Sequence, residues 1–421
     1  MSEAAGAAGT EGLHAPEETF ARLRSHLSPG AALSAKVLGG GGVEATANGA
    51  TVTLSDGREV LDFGSYGVAL LGHRHPDLLA AVREELERMP TATRVLANPT
   101  TAAFAAELTA RFDGSLPRVW LGSDGSDVVE LAVKLARRRG GRLRVLAVEG
   151  AFHGKTLGAL ALTRNPAFRT GLEPLLAHVS AIPRDDPDAV RREAAAGDVA
   201  ALIFEPIQGE AGVRPLDPEL LRRWVGDARS AGAFAISDEI QVGLRRSGPF
   251  SPAVAAGLEP DAVLLGKGLG GGLMPLSALV ATEELAQPPV ADPTWHTTTF
   301  GGHPLACATG RAALTAIDAH AAHGAELGAI LGRALDDLAR RCPEAIAEVR
   351  GAGLIHGVEF RTPAAAGAAL IELAGRGLLV SPCLSSNTTI RLLPPMVAST
   401  GEIERGVEIL AATLPQLAPY L

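Results

Sequence analysis

A lysine flanked by glycines, Gly266-Lys267-Gly268, follows directly on the apolar run Ala262–Leu265. At a strand end such a lysine presents its amine to a carbonyl with little steric hindrance. Burial there depresses the amine pKa, as Schiff-base chemistry requires. The same tripeptide also suits an ordinary surface turn, so its meaning depends on its company.

Three further clusters each end an apolar run. Phe234–Ile236 leads into Ser237-Asp238-Glu239-Ile240-Gln241, and a carboxylate at the carboxyl end of a parallel strand stands where α/β sheets bind ligands. An anion there keeps a pyridine nitrogen protonated and the ring able to accept carbanion electrons. Asp238 is the candidate for that role, and Gln241 for a hydrogen bond to the ring's phenolate oxygen. Gly122-Ser123-Asp124-Gly125-Ser126-Asp127 precedes a helical stretch from Val128. It offers free N–H groups and a hydroxyl to a phosphate, or else simple capping by Ser126 or Asp127. Ala151-Phe152-His153-Gly154-Lys155-Thr156 follows Leu143–Val148, where Phe152 is placed to stack on a ring and His153 joins the cofactor-binding set. Phosphate turn, aromatic, carboxylate and lysine, in that order, point to pyridoxal 5'-phosphate, with Lys267 and Asp238 as the catalytic residues.

The elements that must position these groups are legible as β/α alternation after Asp113. Short apolar runs (Val119–Leu121, Leu143–Val148, Ala200–Phe204, Phe234–Ile236, Ala262–Leu265 and Leu276–Val280) are separated by helical stretches such as Val128–Arg138 and Pro218–Ala231. The pattern predicts an α/β fold with a mixed, mostly parallel sheet. Upstream, residues 51–63 read as a hairpin around an SDG turn, and His75–Met89 as an amphipathic helix. Downstream, a long helix from about Cys307, another near Ala325–Arg341, and β-like segments at Gly353–Phe360, Gly377–Val380 and Thr389–Leu393 predict a smaller α+β domain. The expected division is a disordered tail at 1–14, an N-terminal segment at 15–65 contributing to the small domain, a large cofactor-binding domain at 66–310 and the C-terminal small domain at 311–421.

The chain of 421 residues carries 38 Lys and Arg against 47 Asp and Glu, a net charge of -9. No basic stripe is present to meet nucleic-acid phosphates. No apolar run approaches the roughly 20 residues that span a bilayer, and the start of the chain lacks signal-peptide features. The cysteines Cys307, Cys342 and Cys383 form no CxxC pair and fit a reducing, cytoplasmic setting. His73 and His75 lie two apart, but no further ligands complete a metal site, which needs three or four; none is expected.

From about Val60 to Ala412 the chain resembles the class III, ornithine-type family of pyridoxal-phosphate aminotransferases. The resemblance rests on Leu71-Gly72-His73-Arg74-His75-Pro76, Glu205-Pro206-Ile207-Gln208-Gly209-Glu210, Asp238-Glu239-Ile240-Gln241, Gly266-Lys267-Gly268 and Thr298-Thr299-Phe300-Gly301-Gly302. It implies a fold-type I homodimer with a large seven-stranded sheet domain, a small terminal domain and active sites at the subunit interface. It also implies that Lys267 forms the Schiff base and shuttles the proton, Asp238 pairs with the ring nitrogen, and Gln241 meets the phenolate oxygen. By the same resemblance Phe152 stacks, Gly125 and Ser126 cradle the phosphate, and Thr299 reaches it from the neighbouring subunit.

Glu210 and Arg391 resemble a pair that handles two unlike substrates, Arg391 binding a carboxylate when one arrives and Glu210 neutralising it otherwise. Their presence favours transfer of an ω-amino group from an amino acid or diamine to 2-oxoglutarate, giving an aldehyde and glutamate. Tyr66 matches a position where ornithine-preferring members carry Tyr, and Lys155 one where they often carry Arg. Asp127, Ser123-Asp124 and His303 depart from the family pattern, as does the lack of an N-terminal Tyr, and point to a donor other than ornithine itself. Decarboxylation, racemisation or epimerisation, and 1,2-amino transfer use the same cofactor residues and stand as the alternative.

Overall fold

The computed structural model describes residues 15–287, 289–292 and 294–421; the tail expected at 1–14 lies outside them. In chain order the strands are β1 (Glu44–Asn48), β2 (Thr51–Leu54), β3 (Glu59–Phe63), β4 (Arg118–Gly122), β5 (Arg144–Val148), β6 (Val179–Ile182), β7 (Val199–Phe204) and the short pair β8 (Ile207–Gln208) and β9 (Arg214–Pro215). They continue as β10 (Phe234–Asp238), β11 (Ala262–Leu265), β12 (Ser277–Ala281), β13 (Ile346–Ala352), β14 (Ile355–Phe360), β15 (Leu378–Cys383) and β16 (Ser386–Leu392).

Seven strands form the central sheet in the order β4-β12-β11-β10-β7-β5-β6. Pairs β11/β10, β10/β7, β7/β5 and β5/β6 are parallel, while β12 opposes both β11 and β4. The sheet is therefore mixed and mostly parallel, as the sequence pattern predicts. Every residue of β7, β10, β11 and β12 is buried, because helices cover both faces and continuous apolar runs satisfy both. Alternate residues divide between the covers. Val145, Ala147, Ala201 and Ile203 pack with Val129, Leu131 and Leu135 of the helix Gly125–Gly140. Leu146, Val148, Leu202 and Phe204 pack with Leu221, Trp224 and Val225 of the helix Pro218–Ser230.

The second sheet, β1-β2-β3-β15-β16-β14-β13, joins strands from 44–63 to strands from 346–392. The parallel pair β3/β15 is the seam between them. The expected hairpin at 51–63 is the antiparallel pair β2/β3, and the expected helix at His75–Met89 is Pro76–Arg88. The helix expected from Cys307 starts at Pro304, where the ring occupies a first-turn position that needs no N–H donor. The edge strand β6 escapes sequence reading because only Ile182 of its four residues is fully buried. Among the described residues no helix is long and apolar enough to cross a membrane.

Candidate active site

Because β4, β5, β7, β10 and β11 share one direction, their carboxyl ends open on one edge of the sheet. Each delivers a different group: Gly125 and Ser126 after β4, Phe152 and His153 after β5, Glu205 after β7, Asp238 at the end of β10, and Lys267 after β11. These residues, with Glu210, Ile240 and Gln241, line a cavity of about 500 Å³. The common strand direction thus converts residues up to 142 positions apart in sequence into one site.

The helix Gly125–Gly140 points its N-terminus at the cavity. Its N-cap is Asp124, which accepts from Asp127 N at 3.1 Å, so the capping expected of Ser126 or Asp127 is taken by neither. The helix consequently begins three residues before Val128. The Ser126 hydroxyl has no hydrogen-bond partner among the described residues and stands beside free helix N–H groups, a setting suited to an anion. Gly154 is required next to it, since a Cβ there would come within 2.3 Å of Ser126 Oγ.

Lys267 opens a tight turn with φ of 47°, a left-handed conformation that costs a non-glycine residue of order 1 kcal/mol or more. Both glycine neighbours are closely packed: a Cβ on Gly266 would lie 3.2 Å from Ile240 and one on Gly268 3.0 Å from Leu70. Burial lowers the Lys267 pKa; Arg391 adds to the shift, while Glu210 and Asp238 oppose it. The amine has no hydrogen-bond or ion-pair partner among the described residues. It is a cation poised to lose its proton or to be consumed covalently.

Asp238 Oδ2 lies 2.7 Å from Nδ1 of buried His153, and its Oδ1 accepts from Ile240 N at 3.2 Å. Burial alone would depress the His153 pKa, yet the bond to Asp238 and the charges of Asp238 and Glu205 raise it. The His153 ring thereby fixes the orientation of the Asp238 carboxyl group. His153 Nε2 is buried and unpartnered. Glu205 accepts from Phe152 N at 3.0 Å and from Gly209 N at 3.3 Å. Burial pushes its pKa up to about 7, with His153 opposing and Asp238 and Glu210 reinforcing the shift. Sequence reading included Glu205 in a motif but gave it no role, since a glutamate at a strand end has no distinctive spacing.

Behind the cavity Arg391, 1% exposed on β16, donates from Nη1 to Glu210 Oε1 at 2.7 Å and to Gln241 Oε1 at 3.0 Å. Gln241 Nε2 donates to the same Glu210 oxygen at 3.3 Å. Burial would raise the Glu210 pKa, but Arg391 and the Leu384 amide hold it below the usual carboxylate range. Arg391 Nε remains buried without a partner. Gly209 makes the arrangement possible, because a Cβ there would sit 1.5 Å from Gln241 Oε1.

The structure does not bring every candidate residue to the cavity. Tyr66 is 76% exposed on a turn with positive φ. Lys155 rests its ammonium 4.0 Å from the Phe168 ring centroid and 5.9 Å from that of Phe152. Thr299 is exposed. None of the three lines the cavity of this chain. His73 Nε2 lies 2.7 Å from Asp62 Oδ2, and no group of three His, Cys, Asp or Glu among the described residues could hold a metal ion. Ile240, also without a sequence-based role, fits against the Gly125 and Gly266 backbones, a contact between distant segments that no local spacing signals.

The donor set suits pyridoxal 5'-phosphate on its chemistry alone. It combines an uncapped hydroxyl at a helix N-terminus, a carboxylate secured by histidine, an aromatic wall and an unpartnered amine. A family description, Aminotransferase class-III, matches residues 18–414. The chain is 36% identical over 405 residues to a putrescine aminotransferase of Pectobacterium atrosepticum, covering 92% of this chain and 86% of that protein. Its structure superposes on the ornithine aminotransferase of Toxoplasma gondii with a TM-score of 0.89 and 28% identity, over 98% of this chain and 99% of that one. An amine transaminase from an uncultivated Pseudomonas species, solved with the cofactor bound, gives a TM-score of 0.82 and 28% identity over 89% of this chain and 94% of that one.

Proposed function

Since the chain belongs to the class III aminotransferase family, and so is an enzyme that depends on pyridoxal 5'-phosphate, we propose that it moves an ω-amino group of an amino acid or diamine to 2-oxoglutarate. The observation that carries this reading is the buried Glu210–Arg391 pair at 2.7 Å, shared with Gln241 at the cavity wall. An unpaired arginine there would be costly, since two charges at about 4 Å attract by roughly 4 kcal/mol at an effective dielectric of about 20. When the donor brings no carboxylate near its reacting amine, Glu210 stays on Arg391. When an α-keto acid enters, its carboxylate replaces Glu210 as a bidentate partner. Exchange of one carboxylate for another keeps both half-reactions accessible in one cavity. The relatives named for putrescine and ornithine support a donor of this class.

Bound at the site, the cofactor supplies an electron sink and carries the amino group between donor and acceptor. In this proposal Lys267 Nζ moves the proton at the substrate carbon, and burial keeps that amine able to shed it. Asp238, oriented by His153, holds a proton on the ring nitrogen. Gln241 faces the phenolate oxygen, Phe152 forms the ring wall, and Gly125 and Ser126 receive the phosphate. Lys155 and Tyr66 act at the far end of the donor, outside the cavity formed by one chain.

The proposal includes a homodimer whose interface completes the site, with Thr299 of one subunit reaching the phosphate bound in the other. Its support is three exposed apolar side chains, Val95 (89%), Leu96 (73%) and Phe300 (61%); Phe300 adjoins Thr299 in sequence, and Arg94 donates to Gly301 O, which brings the two segments together. Three free cysteines fit a cytoplasmic location. The test follows the half-reactions separately. A diamine or ω-amino acid should convert the bound cofactor to its amine form without any keto acid, and 2-oxoglutarate should restore it with glutamate released. Failure of every such donor, or carbon dioxide release in place of glutamate, would overturn the reading.

A further inference from the structure

The turn that carries Glu210 is strained. Val213, a β-branched residue, has φ of 52°, and Gly212 has φ of 101°. One end is gripped by Arg350, whose Nε and Nη2 donate to Gly212 O at 3.0 and 2.9 Å. The other end is held by Glu205 through Gly209 N, while its second oxygen holds Phe152 N. One buried carboxyl thus links the ring wall after β5 to the turn that begins after β8. It does so at the cavity surface, facing His153, Asp238, Glu210 and Lys267.

We propose that Glu205 is a positioning residue that clamps the Phe152 and Gly209 amides together and so keeps Glu210 in register with Arg391. The inference rests on the donor–acceptor exchange proposed for Glu210 and Arg391. A carboxyl group, with an oxygen acceptor on each arm, can take both amides; a glutamine offers one acceptor and sets its own N–H groups against the second amide. An ordinary strand-end glutamate facing water would have no such effect.

The test uses Glu205→Gln and Glu205→Ala beside Glu210→Ala. Hydrogen exchange in the protein without cofactor should quicken by about tenfold in segments 150–154 and 207–212 for Glu205→Ala, the loss of one hydrogen bond at each amide. At least one of those segments should respond in Glu205→Gln, and the helix Ala321–Arg341 should be unchanged. In the loaded enzyme the KM for a donor without an α-carboxylate should rise by about fivefold or more, that for the keto acid staying within about twofold, since the keto acid binds Arg391 directly. Unchanged exchange in both segments, or a parallel rise of both KM values with a lower Tm, would overturn the proposal. Should Glu205→Ala not fold, the nearly isosteric Glu205→Gln decides on the same readouts. Glu210→Ala separates the two layers: if it leaves donor and acceptor preference unaltered, the exchange reading fails, whereas if it alters them and the Glu205 variants do not, only the clamp fails.

Discussion

The floor of the cavity and its outer margin are built on opposite principles. On the floor, buried polar groups from the parallel strand ends and from β16 of the second sheet constrain one another: His153 secures Asp238, Arg391 holds both Glu210 and Gln241, and Glu205 spans two loops. Outside the cavity lining, where the proposed second subunit would form its margin, Tyr66, Thr299, Phe300, Val95 and Leu96 are exposed. Burial makes each lost partner on the floor expensive, because an uncompensated charge in a dry site costs far more than one in water. The margin has little to lose within one chain and much to gain from a second. Under the proposed function the floor carries the proton transfer and the carboxylate exchange, and the margin contacts the far end of the donor.

The sharpest way to break that contrast is at Lys267. Lys267→Ala should bind cofactor but lower turnover by at least about 10⁴-fold, the upper range for a positioned base, without a matching loss of Tm. Retained single-turnover kinetics in this variant would move the chemistry away from the floor. Arg391→Ala should come next. It leaves Glu210 buried without its cation, so a stability loss of about 3–5 kcal/mol is expected in denaturant titrations, together with a KM for the keto acid raised by about 100-fold, the value of a charged bidentate contact. A normal keto-acid KM would show that the pair is only structural.

Leu96→Asp tests the margin. If a second copy covers it, sedimentation should show a shift from dimer to monomer and activity should fall by about tenfold or more, with little change in the monomer's secondary structure. A monomeric wild-type enzyme with full activity would erase the distinction between floor and margin.

The smallest expected effect is a pH dependence of stability set by two buried carboxyls, Glu205 on the floor and Glu239, which does not line the cavity. Burial pushes both Glu205 and Glu239 up to about 7 from 4.5. Each folded form binds its proton more tightly than the unfolded chain, so each contribution is full below pH 4.5 and is lost as pH rises through about 7. Glu239 accepts from Ser237, Ser251 and Ala253 on one oxygen, while the other is buried and unpartnered. Glu239→Gln should therefore flatten part of the decline in Tm between pH 4.5 and 7 by a few degrees. An unchanged slope would mean that water reaches this carboxyl.

Sequence alone determined the order of the chemistry: Ser126, Phe152, Asp238 and Lys267 each follow an apolar run or open a helix, and those local patterns dictate strand ends and helix starts wherever the chain folds. It also predicted the parallel sheet, since continuous apolar runs separated by amphipathic stretches have few other ways to bury both faces. The edge strand β6 and the cap at Asp124 were not legible, the first for want of burial and the second because Asp124, Ser126 and Asp127 are all good caps. Tertiary structure decided which of the candidate residues meet. It set Glu205 between Phe152 and Gly209, placed Gln241 against Arg391, and turned Lys155 onto Phe168 and away from the cavity. Local spacing cannot specify such contacts, because they depend on which strand lies beside which, and that order is fixed by the packing of the whole sheet.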